Sequence, residues 1–567
     1  MSVDYVTCGG LLRHAHCVAM EEVGFDVDAG VAAREAICGT CQQRAGALSK
    51  RLDLPLSSLT SYAHPSDEAW VKTMSAGVTP DSWSEFEVDG IPLGRYASYE
   101  FLLKYKINNW AIPEELWGVY VGQLQNALRA YRACERLLDD MRPDRAIAYN
   151  TLYSVNRVFM ALAHRQNIPC FTVQGGNHPT YRGETLTIFE NDQEVFRAPR
   201  SHAWHEWKSQ PIGASEVQLV IDAVRAQFEA TSPFVYSSPY KAIPPAEMRA
   251  HFGIRDQSKV AVVILSSRDE LFAADVIGRF ERPIDGTFLF EQQSDWVEHL
   301  IEIALRRPDL HFVIRVHPRE FPNKREAVLS PNALRLQSIL ADPPQNVSVD
   351  WPNSGRSLHN VLQIADVALS GWSSVGCDAS MLGIPTVVYR TGDVLAYPIE
   401  LVNLVDSVED YELELDRAMG EGWSAERARQ AFRWLAFNYG RLSVDLSDQI
   451  PSRSRWSARR ITQGIYAHTR VPLPFGVVHA FERREIPSAD SGLIADRVIA
   501  DVITNQRGSV AASSAWLERP LTSPEDEERL IAGALLDVAG LLSTFPEDPQ
   551  CLSSHIENYA SEVLSGY

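Results

Sequence analysis

Four polar segments between residues 266 and 393 combine residue types suited to holding and activating a phosphate. Ser266-Ser267-Arg268-Asp269-Glu270 follows the apolar run AVVIL, and Arg315-Val316-His317-Pro318-Arg319-Glu320 closes FVIRV. Ser370-Gly371-Trp372-Ser373-Ser374-Val375-Gly376 leads into a helix start, and Arg390-Thr391-Gly392-Asp393 follows IPTVVY. Small hydroxyl residues at a helix start offer backbone N–H groups, O–H donors and the positive end of the dipole, which together suit an anion. Ser373 and Ser374 would equally serve as a plain helix cap. His317 before a proline could donate to a phosphate or leaving group, with Arg315 and Arg319 adding charge. Its bland alternative is a half-buried turn histidine.

A second constellation stands at the beginning. Cys8, Cys17, Cys38 and Cys41 form C-x8-C-x20-C-x2-C, with His14 and His16 alongside. The two-residue spacing of the last pair suits a zinc knuckle, and four thiolates close a structural tetrahedral site, so a structural Zn is one expectation. Buried free thiols are the other. Cys134, Cys170, Cys377 and Cys551 read as ordinary buried positions. A basic run, Arg453, Arg455, Arg459 and Arg460, reads as a solvated helix face. Its sharper reading is a contact with an anionic acceptor, a membrane surface or an assembly partner.

The elements that must position these residues are legible. RAIAYN, VNRVFMALAHRQN and IPCFTVQGG read as strand, helix and strand, a parallel βαβ unit, preceded by a helical region over Ile112–Met141. SPFVYSSPYKAIPPAEM reads as a proline-rich linker. Beyond it KVAVVIL, HFVIRV, NVSVD, VALS and IPTVVY are five apolar runs alternating with amphipathic stretches, the pattern of a doubly wound parallel sheet. After about residue 420 the chain turns helical. The expected organisation is α/β: an N-terminal Rossmann-like domain over 1–235, a second over 236–420 facing it across a cleft, and a helical region over 421–567.

Composition bounds the function. The 567 residues are 45% apolar and 22% charged, and 53 basic against 73 acidic residues give −20 at pH 7. Such a field repels nucleic acid, so a nucleic-acid partner is not expected. No apolar run approaches the ~18–20 residues of a membrane span, and MSVDYVTCGG lacks a basic start and an apolar core. With few cysteines for its length, the chain is expected in the cytoplasm.

IRVHP followed by ADVALSGWSSVGCDASMLGIPTVVY resembles the His-Pro and Ser-Ser motifs of GT-B capsule polysaccharide glycosyltransferases. These include the Kdo transferases of capsule assembly and the bacterial polysialyltransferases. The resemblance covers about residues 255–400, and more weakly 95–180. It implies a GT-B fold and an inverting transferase that needs no cofactor for catalysis. It would move an acidic sugar (Kdo, sialic acid or a related nonulosonic acid) from a CMP-sugar donor to a glycan or glycoconjugate acceptor. His317 would contact the donor phosphate, and Ser373 and Ser374 would hold the phosphate and cytidine side. Ser267, Arg268, Arg315, Arg319 and Trp372 complete the expected donor set.

Asp378 stands where relatives often carry a glutamate. The acceptor side would come from Asn150 and from Gln174, Gly175, Gly176 and Asn177. Relatives frequently have an acidic base at the position of Gln174, and an amide cannot deprotonate a hydroxyl. The base is therefore sought among His178, Glu184, Asp269 and Glu270. Rival readings are a CDP-glycerol or CDP-ribitol phosphotransferase of teichoic-acid type, a sugar-nucleotide epimerase, and a non-catalytic GT-B scaffold.

Overall fold

The computed structural model describes residues 2–13, 17, 30–190, 194–230, 236–280, 283–284, 286–323, 327–446, 494–516, 522–542 and 552–565. His14, His16, Cys551 and the arginine run 453–460 lie outside the described residues. The chain forms two compact units. The first comprises Met1–Gln174, Phe272–Ile277 and Asp445–Asp496; the second comprises Gly175–Leu271, Gly278–Val444 and Arg497–Tyr567. The proline-rich stretch expected as a linker runs within the second unit.

In the first unit, strand β1 (Tyr5–Thr7) pairs in parallel with β2 (Leu56–Ser58), and helix α1 (Val31–Leu52) connects them. Helix α2 (Trp117–Met141) buries Leu124, Leu128, Tyr131 and Leu138 on one face, as its helical apolar spacing requires. It ends where Arg142 adopts φ +45° ahead of Pro143. The expected βαβ unit is present: β3 (Ala146–Tyr149), α3 (Ser154–Arg165) and β4 (Cys170–Gly175), with Ala146 opposite Cys170.

The second unit opens with strand β5 (Thr185–Glu190) and helix α4 (Ala214–Glu229). It then builds a six-stranded parallel sheet from β6 (Lys259–Ile264), β7 (Leu310–Arg315), β8 (Val347–Asp350), β9 (Val367–Ser370), β10 (Thr386–Tyr389) and β11 (Asn403–Val405). Every ladder is parallel, and the order is β11-β10-β9-β6-β7-β8. The five expected strands are all there. β11, only three residues long, is a sixth that the apolar pattern did not mark.

Strands β6, β9 and β10 are buried almost end to end, as strands covered on both faces must be. Helix α5 (Arg268–Val276), which follows β6, gives Phe272, Ala273 and Val276 to the buried cluster of the first unit, whereas the covering helices between strands include α6 (Gln293–Arg306), α7 (Pro331–Ile339), α8 (Leu358–Leu362) and α9 (Val375–Met381). The fold is thus α/β with additional C-terminal helices. Helices α10 (Tyr411–Glu421) and α11 (Ala425–Ala436) are followed by α12 (Pro524–Leu542) and α13 (Leu552–Ser565). Ile531, Leu535, Val538 and Ile556 share one buried cluster with Val262, Val313, Ala368 and Val388. Glu527 fastens α12 there, accepting from Arg433 at 2.6 and 2.8 Å and from the Ile212 N–H at 2.9 Å. Among the described residues no helix is long and apolar enough to cross a membrane.

Candidate functional site

The strand order defines where a ligand can sit. From β6 the chain builds outward through β7 and β8, then returns to β6's other side and builds outward through β9, β10 and β11. Loops leaving β6 and β9 therefore diverge, and the crevice outside their carboxyl ends is the usual ligand position of such sheets. The ends are level: Ile264 pairs with both Arg315 and Ser370, and Val388 pairs with Ser370.

At this edge the structure gathers polar groups without protein partners. The hydroxyls of Ser266, Ser370 and Tyr389 are buried and make no hydrogen bond among the described residues. Each orphaned hydroxyl costs about 1–3 kcal/mol unless something satisfies it. Gly371 is required here, because a Cβ would lie 2.7 Å from Tyr389 Oη and 2.8 Å from its Cζ.

Arg268 is 5% exposed, and its guanidinium lies 5.3 Å from the Phe288 ring and 6.0 Å from the Trp372 ring. Those rings are 5.4 Å apart, so the cation sits beside two aromatic faces, a favourable arrangement where water is excluded. Contrary to the loop expected at 266–270, Arg268, Asp269 and Glu270 form the first turn of α5.

The carboxylates divide into separate jobs. Asp269 is buried and accepts from Arg319 Nη2 at 2.8 Å, Arg319 Nε at 3.2 Å and Ser267 Oγ at 2.5 Å. Asp269, expected among the bases, has its carboxylate occupied by these donors and positions Arg319. Glu270 is 52% exposed, with Arg319 Nε at 3.5 Å. Glu320 is buried and hydrogen-bonded by Ser330 Oγ. Burial pushes its carboxyl up to about 7, against the hydrogen bonds it accepts and with Asp269 adding to the rise.

Glu320 carries a pH prediction. The fold favours its neutral form, so its contribution is fully present below the unfolded carboxyl value of 4.5 and is lost as pH rises through about 7. The loss amounts to about 3 kcal/mol. Glu320→Gln, which cannot ionise yet still accepts from Ser330, should melt progressively higher than wild type between about pH 5 and about pH 8. A melting difference that ignores pH would show that Glu320 does not titrate in the fold.

His317 is half-buried; its Nδ1 accepts the Arg319 N–H at 3.2 Å, and its ring lies 5.7 Å from that of Tyr236. An accepting Nδ1 leaves the ring proton on Nε2, the nitrogen able to donate. Arg315 departs from expectation. Its guanidinium pairs with buried Asp350 and donates to the Arg356 carbonyl at 3.2 Å, so it does not serve as a phosphate contact.

At α9 the capping side chain is that of Ser373, whose Oγ accepts the Val375 N–H at 3.3 Å, while exposed Ser374 makes no side-chain cap. With seven residues, α9 gathers less dipole than the expected anion site needs. Burial pushes the Asp378 carboxyl up to about 6, although Gln227 Nε2 donates to it at 3.5 Å.

His178 is not a base. Its Nε2 bonds the Leu219 carbonyl at 2.8 Å and its Nδ1 accepts the N–H groups of Thr180 and Tyr181, both at 3.1 Å. A buried imidazole held as a neutral tautomer between backbone groups is a structural member. Glu184 is half-buried and closes a turn onto the Tyr181 carbonyl at 2.8 Å.

The residues expected on the acceptor side hold turns. Asn150 has φ +47° and its Oδ1 accepts the Leu152 N–H at 3.2 Å. Gln174 and Gly175 end β4, and a Cβ on Gly175 would strike the Arg182 carbonyl at 2.8 Å. Gly176 donates its N–H to the Thr185 carbonyl at 2.9 Å, and Asn177 Nδ2 donates to Asn438 Oδ1 at 2.9 Å.

Ser267, Arg268, Arg319 and Trp372 of the expected donor set stand at the switch-point edge. Beside them stand Ser266 and Ser370, which the polar segments contain but the expected donor set omits, and Phe288 and Tyr389, which sequence reasoning passed over. Ser370 carried a signal, a hydroxyl ending an apolar strand. Phe288 and Tyr389 looked like ordinary core.

No family model matches this chain, and no curated protein matches it. Among solved structures it is similar to the UDP-GlcNAc 2-epimerase from Neisseria meningitidis bound to UDP-GlcNAc. Identity is 16%, coverage 59% of this chain and 81% of that one, and the TM-score 0.27. It is also similar to Thermosulfurimonas dismutans KpsC, beta Kdo 2,4 transferase, at 13% identity, 48% and 78% coverage and TM-score 0.28. A third is spinosyn rhamnosyltransferase SpnG complexed with thymidine diphosphate, at 12%, 79% and 98%, with TM-score 0.25. Likenesses this distant identify neither a family nor an activity for this chain.

Proposed function

We propose that the chain is a nucleotide-sugar glycosyltransferase of GT-B type that moves an acidic sugar from a CMP donor to a glycan or glycoconjugate acceptor, with inversion. One observation carries the reading. The His-Pro and Ser-Ser motifs leave the sheet at β7 and β9, beside the switch point between β6 and β9, where Arg268 and three orphaned buried hydroxyls stand.

In this reading Arg268 and the Nε2–H of His317 take the departing phosphate, and fixed donors there stabilise charge as it develops. Ser373 and Ser374 line the same end of β9, Trp372 offers a face to the base, and Asp378 approaches the nucleoside. Of the candidate bases, exposed Glu270 and half-buried Glu184 remain. The acceptor-side role of Asn150 and of Gln174 to Asn177 rests on the resemblance of the motifs alone. A second reading, a nucleotide-binding scaffold without catalysis, is favoured by the locked His178 and the paired Asp269.

The test is calorimetry of the full chain with CMP, CDP, UMP, UDP, GDP and ADP. Binding of CMP in preference to the others is expected. Binding of UDP or GDP instead, or of none, overturns the donor assignment. CMP binding without turnover of any CMP-sugar would favour the scaffold.

A further inference from the structure

Two features stand outside the crevice at the switch point. Cys8, Cys17, Cys38 and Cys41 are free thiols, and among the described residues no group of three or more His, Cys, Asp or Glu is placed to hold a metal ion. The other feature is a cavity of about 270 Å3 in the second unit, lined by Phe280, Ile284, Thr287, Arg390 and Val394.

Backbone bonds fix the walls of this cavity. Arg390, directly after β10, donates its N–H to the Val405 carbonyl of β11, and its own carbonyl accepts the Leu289 N–H, both at 2.8 Å. On the opposite wall the Ile284 carbonyl accepts from the Thr287 N–H at 3.1 Å and from Thr287 Oγ1 at 2.8 Å, which closes a turn. Gly392, with φ +61°, lets the two walls meet, because a Cβ there would lie 2.7 Å from Thr287 Oγ1. Next along the chain, Phe288 pairs with Thr391 in an antiparallel bridge and turns its ring to Trp372 and the Arg268 guanidinium. One stretch of chain therefore borders both the cavity and the crevice.

The lining has a definite chemistry. Phe280, Ile284 and Val394 are buried and give an apolar floor. Asp393, the acid in the lining, already has its counter-charge: Arg200 Nη1 lies 3.0 Å from its carboxylate, and Arg200 Nη2 donates to its carbonyl at 3.3 Å. Arg390 is exposed, and its side chain makes no hydrogen bond or ion pair among the described residues. In a chain of net charge −20 this leaves a cation uncompensated beside apolar surface. A guanidinium presents a planar fork that matches a carboxylate with two parallel bonds. The apolar floor suits the C–H face of a sugar ring. Small-molecule sites commonly measure about 300–1,000 Å3, so this cavity has room for one sugar ring and not for a whole nucleotide.

We propose that the cavity takes the carboxylate-bearing sugar of the donor, and that Arg390 pairs with its carboxylate and so sets the preference for an acidic sugar. This assignment rests on the donor reading given above and adds to it the residue that would select the sugar.

Ligand-detected NMR of the full chain with free sialic acid, with Kdo and with neutral N-acetylmannosamine tests it, beside calorimetry with CMP. At least one of the two acids should bind, and the neutral sugar should not. Arg390→Gln should weaken the acid by about tenfold or more and leave CMP unchanged. Gly286, on the rim with φ +74° and open space around an added Cβ, supplies a second pair of variants. Asp and Asn both tolerate that backbone and share one shape, so Gly286→Asp should repel the acid while Gly286→Asn should not. Melting curves establish that each variant is folded, and the Gly286 pair decides the matter if Arg390→Gln is not. Failure of both acids to bind, equal binding of the neutral sugar, or acid binding that ignores the charge changes overturns the proposal, whatever CMP does. Acid binding that depends on Arg390, without any binding of CMP, would keep the sugar site and sink the donor reading instead.

Discussion

Arg268→Ala is expected to weaken nucleotide binding by about 2–3 kcal/mol, roughly 30- to 150-fold in Kd. The guanidinium stands at the switch point between Phe288 and Trp372, where exclusion of water strengthens a charge-assisted bond to phosphate. Arg268→Lys keeps the charge but loses the planar fork, and should fall between the two. Calorimetry with the nucleotide that binds wild type checks this, with melting curves to establish that each variant is folded. An unchanged Kd in a folded Arg268→Ala protein would place the donor elsewhere. The sheet would be untouched by that result, and the function would not survive it.

Asp350→Ala is expected to be the most destabilising of the substitutions considered, at about 3–5 kcal/mol. Asp350 is completely buried at the end of β8 and pairs with Arg315 and, at 2.8 Å, with Arg356 Nε, while Ser354 Oγ donates to it at 2.8 Å. Removing the carboxylate leaves two largely buried guanidinium groups without their counter-charge. Their desolvation cost then falls on the fold. The thermal midpoint of the second unit should drop on the order of 5–10 °C. Asp350→Leu combined with Arg315→Met, which replaces the ion pair by apolar volume, should recover part of the loss. A drop of under about 1 kcal/mol for Asp350→Ala would mean that water reaches the pair.

Much of the second unit was legible because its signal is local. Five of the six strands of its parallel sheet are runs rich in Val, Ile, Leu and Ala bounded by polar turns, a pattern set by burial on both faces. The strand-end loops were legible too, since Ser266–Ser267, His317–Pro318 and Ser373–Ser374 interrupt apolar runs abruptly. What escaped were features without a local signature. β11 is too short to show a pattern, and α5 begins inside the polar segment read as a loop. Arg315 looked like a phosphate contact until β7 and β8 aligned it with Asp350, 35 residues further along.

His178 shows the same limit from the backbone side. Its three partners are main-chain groups of Thr180, Tyr181 and Leu219, which any residue type could supply. No side-chain pattern reports them. The sequence by itself determined the strands, the α/β class and the residues available at strand ends, because side-chain hydrophobicity and turn chemistry act over a few neighbours. Only the tertiary structure decided the order β11-β10-β9-β6-β7-β8, and with it the switch point, the pairing of Arg315 and the orphaned hydroxyls. Those depend on which distant strands lie side by side, a choice made by the packing of the whole unit.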